Sequence, residues 1–204
     1  MNKNSIETEV KFHIADMKGL ATRLKSLGAQ LTTPRTFEFN LRFDTPTGDI
    51  LQDNCVLRLR RDAESRLTFK GSSKSRKGVL IRQEIEFSVG DFDSAQEFLK
   101  ALGYQVVALY EKYRTTYTLG EIHFMLDELP YGNFFEIEGP DVATIQRIAH
   151  ELDLDWSEAV GVSYMGIFQK LCEGNDLDEA RLTFGVLDGV ELSMANLSIR
   201  PADE

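Results

Sequence analysis

Charged and apolar residues alternate with a period of two through stretches near residues 6–14, 37–44, 55–61, 66–71, 79–89, 110–119, 121–128 and 133–139, which predicts about eight β-strands. On a strand, residues i, i+2 and i+4 share a face, so Glu7, Glu9 and Lys11 project together while Val10 and Phe12 point the other way. The same split recurs. Arg58 and Arg60 oppose Leu57 and Leu59, Lys70 opposes Phe69, and Arg82, Glu84 and Glu86 oppose Ile81, Ile85 and Phe87. Lys112 and Arg114 oppose Tyr113, and Glu136 and Glu138 oppose Phe135 and Ile137. Each of these strands therefore has one ionic and one apolar face.

Four segments carry helical spacing instead. They are 16–27 (Asp16 cap, Gly28 stop), 93–102 (Asp93 cap, Gly103 stop), 141–152 (Pro140 and Asp141 at the start) and 157–172. The last is read from a Ser157 cap with Glu158 in its first turn, running through Tyr164, Ile167, Phe168 and Leu171. The first three follow the acid pairs Glu7-x-Glu9, Glu84-x-Glu86 and Glu136-x-Glu138, and LKSLGAQL near residue 28 is echoed by LKALGYQV near residue 103. A strand-then-helix unit is thus repeated around one sheet. A single strand with an ionic face is ordinarily a solvated outer wall. Three helices, however, must cover something apolar; if they pack from outside, the apolar faces point outward and the ionic faces inward. About eight strands closed into a barrel would then enclose a polar lumen.

The lumen candidates are the acids Glu7, Glu9, Glu84, Glu86, Asp127, Glu136 and Glu138 and the bases Lys11, Arg58, Arg60, Lys70, Arg82, Lys112 and Arg114, which cancel in charge. Cancellation still leaves carboxylates crowded together, and crowded carboxylates either hold protons or bind a hard cation. The arginine forks match an anion with several oxygens. A polyphosphate chelated by Mg²⁺ or Mn²⁺ meets both demands. The sequence has no phosphate-binding glycine loop, dinucleotide fingerprint or nucleophile elbow. His13, His123 and His150 lack ligand spacing, and Cys55 and Cys172 form neither a metal cluster nor a disulfide framework.

At 204 residues, 42% hydrophobic and 27% charged, the composition is that of one globular domain. The N-terminus has no apolar signal core and no stretch is long enough to span a bilayer, so a cytoplasmic protein is expected. The net charge of −10 argues against wholesale nucleic-acid or membrane binding. The charge is unevenly spread: residues 171–204 carry eight acids against Arg181 and Arg200, while residues 58–82 carry nine bases against Asp62 and Glu64. Within the basic stretch, GSSKSRKG (71–78) reads as a loop that moves in the absence of an anion.

These segments together resemble the CYTH superfamily, the triphosphate tunnel metalloenzymes. The resemblance rests on Glu7-Thr8-Glu9-Val10-Lys11, LRLR at 57–60, TFKG at 68–71, RQEIE at 82–86, EKYRTTY at 111–117 and LDELPYGNFFEIEG from Leu126. It spans about residues 5–172, so residues 1–172 are taken as the tunnel domain and 173–204 as an acidic C-terminal extension of no assigned role. The family implies an α+β fold: a closed antiparallel eight-stranded β-barrel, or tunnel, with helices packed outside. It implies Glu7, Glu9, Asp127, Glu136 and Glu138 as the acids that bind Mg²⁺ or Mn²⁺. Lys11, Arg58, Arg60, Lys70, Arg82, Lys112 and Arg114 are implied as triphosphate contacts. Lys11, Arg60 and Lys112 are assigned to the reacting group, and Glu84 and Glu86 line the same lumen.

The resemblance implies an enzyme acting on a triphosphate-containing small molecule. Hydrolysis of inorganic triphosphate, thiamine triphosphate or a nucleoside triphosphate such as ATP is expected, since water demands fewer special contacts than a ribose hydroxyl. The alternative is a class IV adenylyl cyclase forming cyclic AMP and pyrophosphate. A second alternative is a non-catalytic module for polyphosphate or an RNA 5′ triphosphate, the one nucleic-acid contact expected. A homodimer is compatible with all three.

Overall fold

The structure is a computed structural model that describes residues 5–76, 78–173, 175–187, 190, 192 and 194–204. In chain order its strands are β1 (Ser5–His13), β2 (Gln30–Asp44), β3 (Val56–Arg61), β4 (Ser65–Lys70), β5 (Lys74–Arg76), β6 (Val79–Val89), β7 (Gln105–Leu119), β8 (Ile122–Leu129), β9 (Gly132–Glu138) and β10 (Arg181–Leu182). The helices are α1 (Met17–Ser26), α2 (Asp49–Gln52), α3 (Phe92–Ala101), α4 (Val142–Glu151) and α5 (Tyr164–Cys172). Eight strands follow one another as β1-β9-β8-β7-β2-β3-β4-β6, all neighbours antiparallel, and β6 returns to β1 to close the barrel. The expected α+β barrel with external helices is therefore the observed fold.

Side-chain alternation explains how the barrel packs. Val10 and Phe12 of β1, Phe124 of β8 and Phe135 and Ile137 of β9 point outward into a core completed by Leu20 and Leu24 of α1 and Ile145, Ile148 and Ala149 of α4. Leu57 and Leu59 of β3 point outward under Phe92 and Leu99 of α3. One stretch of β6 departs from this rule: Val79 and Ile81 pack into the core with α1 and α4, whereas Ile85 and Phe87 on the same face are 36% and 54% exposed. Helix ends follow the sequence repeat: Gly28 and Gly103 adopt φ +91° and +93° after α1 and α3, and Asp153 adopts φ 53° at the equivalent point after α4. The Asp16 and Asp141 carboxylates cap α1 and α4 by accepting from Gly19 N and Thr144 N.

Several sequence expectations need correction. α3 is capped by Asp91, which accepts from Ser94 N at 2.7 Å, and Asp93 lies in its first turn. The predicted helix over 157–172 is broken. A 3₁₀ turn at Trp156–Glu158 is followed by extended chain, because Val160 N donates to Lys11 O at 2.7 Å and Ala159 bridges Phe12. α5 then starts from Ser163, whose side chain accepts from Gly166 N. The 71–78 segment is not all loop: β5 pairs with the start of β6 as a hairpin. Lys77, together with Asp188 and Glu191 of the acidic tail, lies outside the described residues. β2 and β7 run further than alternation predicts: residues 30–36 of β2 pair with 114–118 of β7, with register shifts near Pro34, and residues 105–109 of β7 pair with 41–44 of β2. The tail docks on the barrel, with β10 parallel to β7, Leu182 fully buried, and Asp203 accepting from Ala15 N and Asp16 N at 2.8 and 2.9 Å. Among the described residues no helix is long and apolar enough to cross a membrane.

Candidate active site

The barrel register decides which charges meet. Across β1 and β9, Glu9 stands opposite Glu138 and Lys11 opposite Glu136; across β1 and β6, Glu7 stands opposite Arg82. β2 sets Glu38 opposite Lys112 of β7 and Asn40 opposite Arg60 of β3, and β8 sets Asp127 opposite Arg114. The inward faces enclose a cavity of about 570 Å³. Lys11, Arg58, Arg60, Lys70, Arg82, Lys112, Arg114, Glu7, Glu9, Glu84, Glu86, Glu136 and Glu138 all line it. Asp127 does not. It is 0% exposed and sits behind the wall, where its carboxylate accepts from Lys112 Nζ at 2.9 Å, Arg114 Nε at 2.6 Å and Tyr164 Oη at 2.8 Å.

Most of the lumen charge is paired. Lys70 Nζ lies 2.6 Å from Glu7 and 3.2 Å from Glu84, and Arg82 bridges Glu7 and Glu9 at 2.9 Å each. Arg60 reaches Glu38, Asp62 and Glu86 at 3.2–3.6 Å, and Arg58 reaches Glu86 at 3.4 Å. Arg114 donates to Glu136 at 2.6 Å, and Lys11 lies 3.4 Å from the same carboxylate. Lys11 Nζ also sits 3.9 Å from the centre of the ring of Tyr164, the first residue of α5.

These pairs and burial pull the titrations apart. Burial works against ionisation of Glu136, but Arg114 and Lys11 outweigh it and hold the acid well below the usual carboxylate range. Burial likewise opposes ionisation of Glu38, yet Lys112, Arg114 and Arg60 bring it down to about 2. Glu9 moves up through burial, to which Glu136 and Glu7 add. Glu138 is pushed up to about 7, by burial first and then by Glu7 and Glu84. Among the described residues it is the one lumen acid with no Lys or Arg at salt-bridge distance.

Glu38, Arg42, Tyr110 and Tyr164 line the lumen and were not picked out from sequence, and Asn40 is buried behind it on the same face of β2. For the β2 residues the signal was present, since Phe37-Glu38-Phe39-Asn40-Leu41-Arg42-Phe43 alternates as cleanly as any other strand. Tyr164 was hidden by the misplaced start of its helix. Metal binding can be tested against this donor set. Among the described residues no three acids or histidines are already gathered at ligand distance. Nevertheless Glu9 and Glu138 are cross-strand neighbours, oxygen donors, crowded, and shifted toward the protonated state, which is the chemistry a hard divalent cation relieves.

The CYTH domain model matches residues 5–156. Among the solved structures that resemble the chain are the following three. A candidate adenylate cyclase from Vibrio parahaemolyticus is 23% identical, with 79% of this chain and 97% of that one covered and a TM-score of 0.69. A protein from Pyrococcus horikoshii is 25% identical, with 78% and 96% covered and a TM-score of 0.66. The Hippeastrum protein HpAC1, a candidate adenylyl cyclase with a dominant triphosphatase activity, is 19% identical, with 80% and 95% covered and a TM-score of 0.61. No curated protein matches the chain.

Proposed function

The chain belongs to the CYTH domain family, and from that premise we propose that its lumen binds a triphosphate together with Mg²⁺ or Mn²⁺ and hydrolyses a phosphoric anhydride bond in it. The observation that carries this reading is the opposition, across one enclosed cavity, of a crowded carboxylate wall and a wall of arginines and lysines. Glu7, Glu9, Glu136 and Glu138 are the side chains that would hold the ion. When bound, such an ion offsets charge on the phosphate oxygens and relieves the repulsion around Glu138. Asp127 takes a different part. Buried behind Lys112 and Arg114, it holds those two bases in place rather than facing the lumen.

Among the residues that line the cavity, Arg58, Arg60, Lys70, Arg82, Lys112 and Arg114 bind and orient the phosphate chain, and Lys11, Arg60 and Lys112 offset the charge that grows on the leaving oxygen. The water oxygen bonds to the terminal phosphorus and the bridging P–O bond breaks. The diphosphate leaves with the bond's electron pair, and the proton passes to solvent. Substrates of this chemistry are inorganic triphosphate, thiamine triphosphate and nucleoside triphosphates. Tyr164, the first residue of α5, lines the lumen with its ring beneath Lys11 Nζ and its hydroxyl donating to Asp127, and so helps to position the base wall.

Phosphorus NMR of inorganic triphosphate, thiamine triphosphate and ATP incubated with the chain and Mg²⁺ or Mn²⁺ tests the proposal. Metal-dependent release of orthophosphate is expected, lost in Glu9→Gln and Glu136→Gln. Pyrophosphate appearing with cyclic AMP would move the activity to cyclisation. Triphosphate binding without turnover in the wild-type chain, with affinity held or raised in Glu9→Gln and Glu136→Gln, would make it a binding module.

A further inference from the structure

Residues 173–204 fall outside the family match over 5–156, yet the far end of this extension is bonded on two sides. Ala202 N donates to His13 O of β1 at 2.9 Å, and Ala202 O accepts from Asp155 N at 2.8 Å, so one residue bridges β1 and the segment that follows α4. Ala202 is 1% exposed and belongs to the core shared with α1 and α4. On either side of it, Asp203 accepts from Ala15 N and Asp16 N at 2.8 and 2.9 Å, and Arg200 pairs with Glu158 of the 3₁₀ turn. Pro201 forms a bridge beside His13.

Both pieces that this end ties together lead to Lys11. β1 carries Lys11 two residues before His13. The segment from Asp155 runs on to Val160, whose N–H donates to Lys11 O at 2.7 Å, and to Val162, whose carbonyl accepts from Lys11 Nζ at 3.5 Å. It then delivers Tyr164, the ring that lies 3.9 Å from Nζ. A lysine stem has several rotatable bonds, and fixing its ammonium on binding costs entropy unless neighbours have fixed it beforehand. Here the backbone and the head of Lys11 both meet one short segment, and that segment is bonded to the extension at Asp155 and Glu158. The exposed Arg200–Glu158 pair contributes little alone. Two backbone N–H groups on the Asp203 carboxylate, and a buried residue that uses both its backbone groups, contribute more.

We propose that residues 200–203 are a strap that positions Lys11 for the triphosphate, with Ala202 and Asp203 as positioning residues that act through residues 155–162. This rests on the lumen being the triphosphate site, and it gives the extension a part in binding as well as in the fold.

Calorimetric titration of inorganic triphosphate without metal, so that nothing turns over, compares the effect of Asp203→Ala in the native chain and in Lys11→Met. With Lys11 present the substitution is expected to weaken binding about fivefold or more, and with Lys11 gone by less than about twofold, because a strap that acts through Lys11 then has nothing to position. The same loss in both backgrounds would mean that the extension supports the fold at large, and it overturns the proposal, as does no loss in either. If Asp203→Ala does not fold, Arg200→Glu carries the comparison: its smaller loss should be restored by Glu158→Arg, which reverses the pair, and a loss left unrestored overturns the strap. Hydrogen exchange at the Val160 amide of the ligand-free chain is expected to quicken in Asp203→Ala, and unchanged exchange counts against the strap whatever triphosphate does. A wild-type chain that binds no triphosphate sinks the lumen reading and the proposal with it.

Discussion

Glu38 balances the cation wall. Its carboxylate lies 3.4 Å from Lys112, 3.6 Å from Arg60 and 3.9 Å from Arg114, and it is 3% exposed. Removing one partner from a buried ionic cluster leaves the others uncompensated, which costs roughly 3–5 kcal/mol. Glu38→Gln should therefore lower the melting temperature of the ligand-free chain by about 6 °C or more, and triphosphate should restore much of the loss by supplying the missing negative charge. Glu138 works in the opposite sense. Its folded-state value of about 7 lies above the ordinary 4.5, so its stability contribution is complete below pH 4.5 and is lost as pH rises through 7. In metal-free buffer at pH 8, Glu138→Gln should melt a few degrees higher than wild type, with the difference vanishing near pH 4. An unchanged difference across that range would remove the crowding argument for a cation there. Much of this was legible in the chain: thirteen of the fourteen charged side chains read as lumen candidates do line the cavity. The exception, Asp127, could not be told apart, because alternation fixes the face a residue occupies and not whether its neighbours cover it.

At the scale of elements, the three repeated helices were readable because each combines a capping aspartate with a residue that accepts positive φ at its end. α5 was misread because Ser157 and Ser163 both look like caps, and only the bond from Val160 N to β1, a contact distant in sequence, decides between them. The extended ends of β2 and β7 escaped notice for a related reason. Exposed on both faces, residues 30–35 of β2 and 105–107 of β7 have no buried side to mark the period. The placement of α5 matters for the site, since its first residue, Tyr164, donates to Asp127 and so fixes the anchor of Lys112 and Arg114. Tyr164→Phe keeps the ring beneath Lys11 and removes only that bond. A loss of about 1–3 kcal/mol is expected, read by chemical denaturation, along with weaker triphosphate binding; unchanged affinity would detach α5 from the site.

For the molecule as a whole, a chain with net charge −10 gathers its cations on the inside of a closed sheet. The outside is then left to helices, to a docked acidic tail and to an uncovered apolar strip on β6 that the alternation rule did not anticipate. Closure makes the arrangement possible: in an open sheet the ionic faces would meet water, whereas here they meet each other. Binding of metal and triphosphate should therefore be cooperative, each ligand supplying the charge the other wall lacks. Thermal melting with Mn²⁺ alone, inorganic triphosphate alone and both together measures this directly. The expected result is a shift with both that exceeds the sum of the separate shifts, reduced to additivity or less by Glu9→Gln; no shift under any of the three conditions would contradict a metal-triphosphate lumen.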